Sequence, residues 1–164
     1  MKIQILDKTK KKKLISGLEE FGINKIQELL IRTGKERIRA YSGNLSKEEI
    51  MDLWRILPIE GIGLYIAKEI IDKDGKKEIR LSIDGLHLLK DQIKNNIITL
   101  NEKQEKEWFK SNKIDFERQS KLKGFVAVKS SDEKDFIGFG KISQDQKNLF
   151  GFLPKERRRK TMVL

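Results

Sequence analysis

Near the end of the sequence the run Lys155-Glu156-Arg157-Arg158-Arg159-Lys160 packs five cations and one acid into six residues. A guanidinium can hold two phosphate oxygens at once, so arginines at this density suit a polyanion. The run follows an apolar strand pattern through Pro154, whose ring fixes the backbone, which favours a placed cluster over a loose tail. Lys121, Lys123 and Lys141 lie nearby in sequence, and Phe139, Phe150 and Phe152 are interleaved with them. Such rings can stack on bases, although a small barrel also needs them for its core.

The other chemistry-bearing residues point to less. His87 is the single histidine and lies between Leu86 and Leu88, with no nucleophile motif and no second histidine beside it. Gly61-Ile62-Gly63 and Gly138-Phe139-Gly140 lack the third glycine of a dinucleotide loop, and read as sites of sheet curvature or close backbone approach. The pairs Asp72/Asp74 and Asp132/Asp135 fall in polar turns. With no cysteine, disulfides, thiolate zinc sites and Cys nucleophiles are excluded. The expectation is a protein that is not an enzyme, with no catalytic residues, no metal and no cofactor.

Two sets of elements must position these residues. In the first, Asp7 or Thr9 caps a helix through about Phe21, with Gly22 at its stop and Lys10–Lys13 at the end unfavourable for cations. Leu29–Thr33 and Arg37–Tyr41 form a hairpin around Gly34-Lys35-Glu36. Strand alternation puts Arg37, Arg39 and Tyr41 on one face, a possible second basic or docking face. Ser46-Lys47-Glu48-Glu49 opens a helix with the stripe Ile50, Leu53, Trp54, Leu57, ended by Pro58. A second hairpin, Gly63–Ile71 and Glu78–Ile83, precedes a short helix opened by Asp84-Gly85. This set predicts a small antiparallel sheet with helices on one face.

The pattern restarts at Lys94-Asn95-Asn96. Ile97–Leu100 is a strand, Asn101 caps a helix to about Lys110 that buries Trp108 and Phe109, and Lys113–Phe116 is extended. Strands at about 124–129, 135–143 and 147–153 follow. Short strands around one helix suggest a partly open barrel. The fold class is therefore α+β, with domains at 1–94 and 95–164.

The chain has 164 residues and a net charge of +11, from 36 Lys and Arg against 25 Asp and Glu. That excess favours a polyanionic partner, nucleic acid first and an anionic membrane surface second. No apolar run reaches the roughly 20 residues that span a bilayer, and the first residues lack the apolar core of a signal peptide. A soluble, cytoplasmic protein with no membrane partner is expected.

The stretches Gly124–Lys129, Phe136–Lys141 and Leu153–Arg158 resemble the PUA domain of pseudouridine synthases and archaeosine transglycosylases. They resemble more closely the variant attached to RNA cytosine-5 methyltransferases. Gly34–Arg39, Gly63-Leu64-Tyr65 and Arg80–Gly85 are similar to the pre-PUA domain of small stand-alone archaeal proteins related to the methyltransferase C-terminus or to ribosome-assembly factors. The resemblance implies a PUA-like β-barrel after a pre-PUA-like domain. It implies structured RNA bound across the first barrel helix, the loop after it and the neighbouring strand. Carried onto this sequence, that surface is Lys110, Lys113, Lys121, Lys123 and Lys155 with Arg157, Arg158 and Arg159; composition adds Lys141 and Lys160. Ser111-Asn112 stands where many such domains have a glycine. The methyltransferase catalytic domain has no counterpart here.

Two functional readings follow. The first is a non-catalytic protein of RNA modification or ribosome biogenesis that binds tRNA or rRNA. The alternative is a protein-interaction module that docks on a separate RNA methyltransferase subunit or a pre-ribosomal protein.

Overall fold

The computed structural model describes residues 2–111, 113–116 and 122–159. The chain divides into two compact units, Met1–Gln92 and Ile93–Leu164. The fold is α+β: a five-stranded antiparallel sheet with helices, then a strongly curled mixed sheet that forms a half-barrel.

In the first unit the strands β1 (Ile3–Ile5), β2 (Leu29–Thr33), β3 (Arg37–Tyr41), β4 (Leu64–Ile71) and β5 (Lys77–Leu81) pair in that order. Both expected hairpins are present. The Asp72 carboxylate shapes the β4–β5 turn by accepting the N–H groups of Asp74 and Lys76 at 2.9 and 2.8 Å. Strand β1 was not expected from the sequence. Ile3 and Ile5 alternate as a strand requires, but three residues are too few to stand out, and pairing with β2 creates the element.

Helix α1 (Lys8–Ser16) is capped by Asp7 and is shorter than expected; a separate 3-10 turn, Glu19–Phe21, carries the chain to Gly22 at φ +94°. Helix α2 (Lys47–Ile56) has the full capping box, with Ser46 and Glu49 each bonding the other's backbone N–H. Helix α3 (Ile83–Leu88) is capped by Ser82, so the helix starts inside what was expected to be strand.

The helices lie on both faces of the sheet, which corrects the one-face expectation. Ile50 of α2 packs with Ile3 and Ile31, and with Tyr41 and Trp54 at its margin. Gly17, at the end of α1, lies against Ile79 on the opposite face, where Ile38 and Ala67 are buried. Gly85 of α3 lets that helix rest on the backbone of Ile66.

In the second unit β6 (Ile97–Thr99), β8 (Phe125–Lys129), β9 (Phe136–Ile142), β10 (Asn148–Gly151) and β7 (Ile114–Asp115) pair in that order, with β6 parallel to β8 and the rest antiparallel. Strands β6 and β7 are the two edges of the curled sheet, so the barrel is partly open. Helix α4 (Glu102–Phe109) delivers Trp108, 1% exposed, into a core of Leu100, Ile114, Val126, Val128 and Leu149. Three glycines make room for that indole. A Cβ at Gly138 or Gly151 would stand 2.7 or 2.9 Å from its six-membered ring, and one at Gly140 3.4 Å away. Gly138 and Gly140 therefore serve close packing, which is the chemistry their spacing suggested without a nucleotide.

Candidate nucleic-acid interface

The C-terminal cations are held in place by backbone as well as side-chain contacts. Leu153 is buried and anchors the chain after β10. Pro154, at φ −56°, leads into a single 3-10 turn, Lys155–Arg157. Arg158 then turns back, its Nε donating to the Leu153 carbonyl at 3.1 Å. The Arg159 N–H donates to the Phe109 carbonyl at 2.7 Å, and its guanidinium lies 4.8 Å from the centre of the Phe109 ring. This brings a cation to the carbonyl end of α4, where the helix dipole favours one. Residues Pro154 to Arg159 remain solvent-exposed, so the run is fixed at its root and open at its tips.

Lys110 follows Phe109 directly and caps α4. It is exposed and forms an ion pair with Glu107 at 3.0 Å, which removes part of its charge from the surface. Ser111 adopts the left-handed conformation, φ +61°, and its N–H donates to the Trp108 carbonyl. Ser111 thus holds a backbone conformation that glycine adopts most readily, while Asn112 lies outside the described residues. Lys113 lies beside β7, on the wall of a groove described below.

Lys123 and Lys141 belong to a different neighbourhood, around Phe125. Lys123 is exposed just before Gly124, and the Lys141 ammonium sits 4.9 Å from the Phe125 ring centre. Phe125 stacks on Phe139 at 5.3 Å and meets Phe152 at 5.9 Å. Phe152 is three residues before Lys155, so these rings connect the Lys141 neighbourhood to the root of the basic run. Phe125 and Phe139 are buried, while Phe150, 45% exposed, presents a ring to solvent. Lys121 and Lys160 lie outside the described residues.

Sequence reasoning missed the opening between the barrel edges. It holds about 1080 Å³, with Thr99, Lys103, Gln104, Lys113, Asp115 and Lys147 on its walls. Gln104 spans it at one end, its Oε1 accepting from the Asn101 N–H and its Nε2 donating to the Asp115 carbonyl. The capping pattern Asn101-x-x-Gln104 was the available signal.

In the first unit, Arg37, Arg39 and Tyr41 share a face, with unequal freedom. The Tyr41 hydroxyl accepts the Leu45 N–H at 3.0 Å, and Gly43 closes over it, so this ring belongs to the loop. Arg39 Nη1 donates to the Gly63 carbonyl at 2.9 Å, and Arg37 lies 5.9 Å from the Tyr65 ring centre. Both arginines line a second groove that ends at α2. His87 is exposed on α3. Of the N-terminal lysines, Lys11 folds back and donates to the Glu28 carbonyl at 2.7 Å; burial there lowers its pKa. Lys10, Lys12 and Lys13 are exposed, which answers how the helix tolerates cations at its start.

No family model matches the chain, and no curated protein does either. No helix among the described residues is long and apolar enough to cross a membrane.

Proposed function

We propose that this protein binds structured RNA without catalysing a reaction, and acts in RNA modification or ribosome assembly. The half-barrel is then a PUA-like domain and the first unit its pre-PUA-like companion. Phosphates meet Lys110, Lys155, Arg157, Arg158 and Arg159 around the end of α4, with Lys123 and Lys141 extending the surface. Phosphate contacts supply affinity and RNA shape most of the selectivity.

The observation that carries this reading is the clamping of Arg159 onto Phe109 by a backbone hydrogen bond and a ring contact. A basic tail kept only for solubility needs no fixed root. A pre-ordered cluster loses less entropy on binding a rigid backbone. The test is an electrophoretic shift with total tRNA and with rRNA fragments, using the natural protein and a variant with Arg157, Arg158 and Arg159 all changed to Ala. Binding that disappears in the variant supports the reading. Absent binding, or binding indifferent to the change, refutes it.

A further inference from the structure

Helix α2 ends in a manner that its apolar stripe does not explain. Ile50 is fully buried and Trp54 half-buried, and continuing that face should bury Leu57. Instead Leu57 is 49% exposed and Ile56 78% exposed. Pro58 ends the helix, and the Ile59 N–H donates to the Leu57 carbonyl at 2.9 Å, a three-residue turn that holds these side chains outward. Beside the turn is a groove of about 640 Å³, with Arg37 and Arg39 of β3 and Trp54 also on its walls. That volume falls within the range of ligand-sized clefts, about 300–1,000 Å³.

We propose that this groove is a docking site for a short, acidic, apolar-anchored peptide segment of a protein partner. The charge argues for the acid. Arg55 is ion-paired with Asp52 at 3.1 Å, and Glu60 is the single acidic residue of the lining. Neither Arg37 nor Arg39 has a carboxylate partner among the described residues, and the Nε of Arg39 is buried without a hydrogen bond. The aliphatic rim argues for peptide over RNA: Ile56, Leu57 and Ile59 outnumber the one aromatic side chain of the lining, the half-buried Trp54, and a run of aliphatic anchors suits apolar side chains better than stacked bases. A second copy of the same face would set arginine against arginine, so the partner must bring the negative charge. An interface of this kind joins apolar anchors to a charged rim. The inference concerns the first unit and goes beyond the RNA-binding reading, which it neither needs nor replaces.

The test selects a display library of random short linear peptides on the full chain. The consensus peptide is then synthesised and its binding measured by fluorescence anisotropy. The expected consensus sets two or more aliphatic or aromatic residues beside Asp or Glu. Its affinity falls at least about tenfold in Ile56→Asp and in Arg37→Glu. It is unchanged in Ile71→Asp, where an isoleucine 68% exposed lies outside the groove lining. Circular dichroism confirms that each variant is folded. No enrichment, a consensus without acids, or equal affinity in all variants would overturn the proposal. So would a labelled poly(U) probe whose binding is lost in both groove variants, which would assign the groove to nucleic acid.

Discussion

Changing Gly138 to Ala should reverse sign with the residue beneath it. Within a strand, Ala is ordinarily better than Gly by roughly 0.5–1 kcal/mol, because less backbone entropy is lost on folding. Here the new Cβ would stand 2.7 Å from Trp108 Cζ2, well inside contact distance. The indole cannot slide away: it is 1% exposed, Gly151 and Gly140 press on the same ring, and Nε1 donates to the Ile137 carbonyl at 3.3 Å. Overpacking of this sort costs about 1–3 kcal/mol. With a urea dependence of about 1–3 kcal/mol per molar, the midpoint should fall by roughly 1 M. In a Trp108→Phe background the Cζ2 atom is gone, and the same glycine change should become neutral or stabilising. Urea unfolding followed by far-UV circular dichroism on the four proteins of the cycle gives the coupling directly. A coupling of at least about 1 kcal/mol is expected. Additive effects within about 0.3 kcal/mol would refute the account of why this strand carries glycines.

Three further outcomes are expected. Gly85→Ala should destabilise by about 3 kcal/mol, since its Cβ would meet the Ile66 carbonyl oxygen, whereas Gly75→Ala, at φ +78° in open space, should cost only about 1 kcal/mol; thermal melts of the two separate crowding from backbone strain. The Glu49 carboxylate is held below the ordinary glutamate pKa, of about 4.3, by the N–H of Ser46. Its contribution to stability is therefore complete above that value and lost as pH falls through the lower folded one, and an NMR titration of Glu49 in the range normal for exposed glutamates would contradict this. Phe109→Leu keeps an apolar side chain but removes the ring beneath Arg159; RNA affinity should weaken about threefold, matching a cation–π contact of about 0.5–1 kcal/mol, and an unchanged affinity in a shift assay would count against the clamp.

Local signals carried most of the fold. Ser46 with Glu49, and Asn101 as a cap, marked helix starts, and Gly34 and Asp72–Gly75 marked hairpins, because each satisfies or shapes backbone groups within a few residues. What depends on distant partners was not legible. Strand β1 exists through pairing with β2, and the placing of α2 opposite α1 depends on packing that alternation along one strand cannot specify. The same division holds for the candidate sites. Alternation placed Arg37 and Arg39 together, but the exposed Ile56 and Leu57 beside them follow from a turn after Pro58. The basic run was visible as composition. Its attachment to α4, through Arg159 and Phe109, joins residues fifty positions apart and required the structure.

The central claim is that a placed set of cations grips RNA phosphates. It is tested most directly by the salt dependence of RNA affinity, measured for the natural protein and for the variant with Arg157, Arg158 and Arg159 all changed to Ala. For about six cations on looped or single-stranded RNA, log K should fall against log salt with a slope near −4, and the variant should move to about −2. A slope near −1, or one unchanged by the three substitutions, would contradict the account.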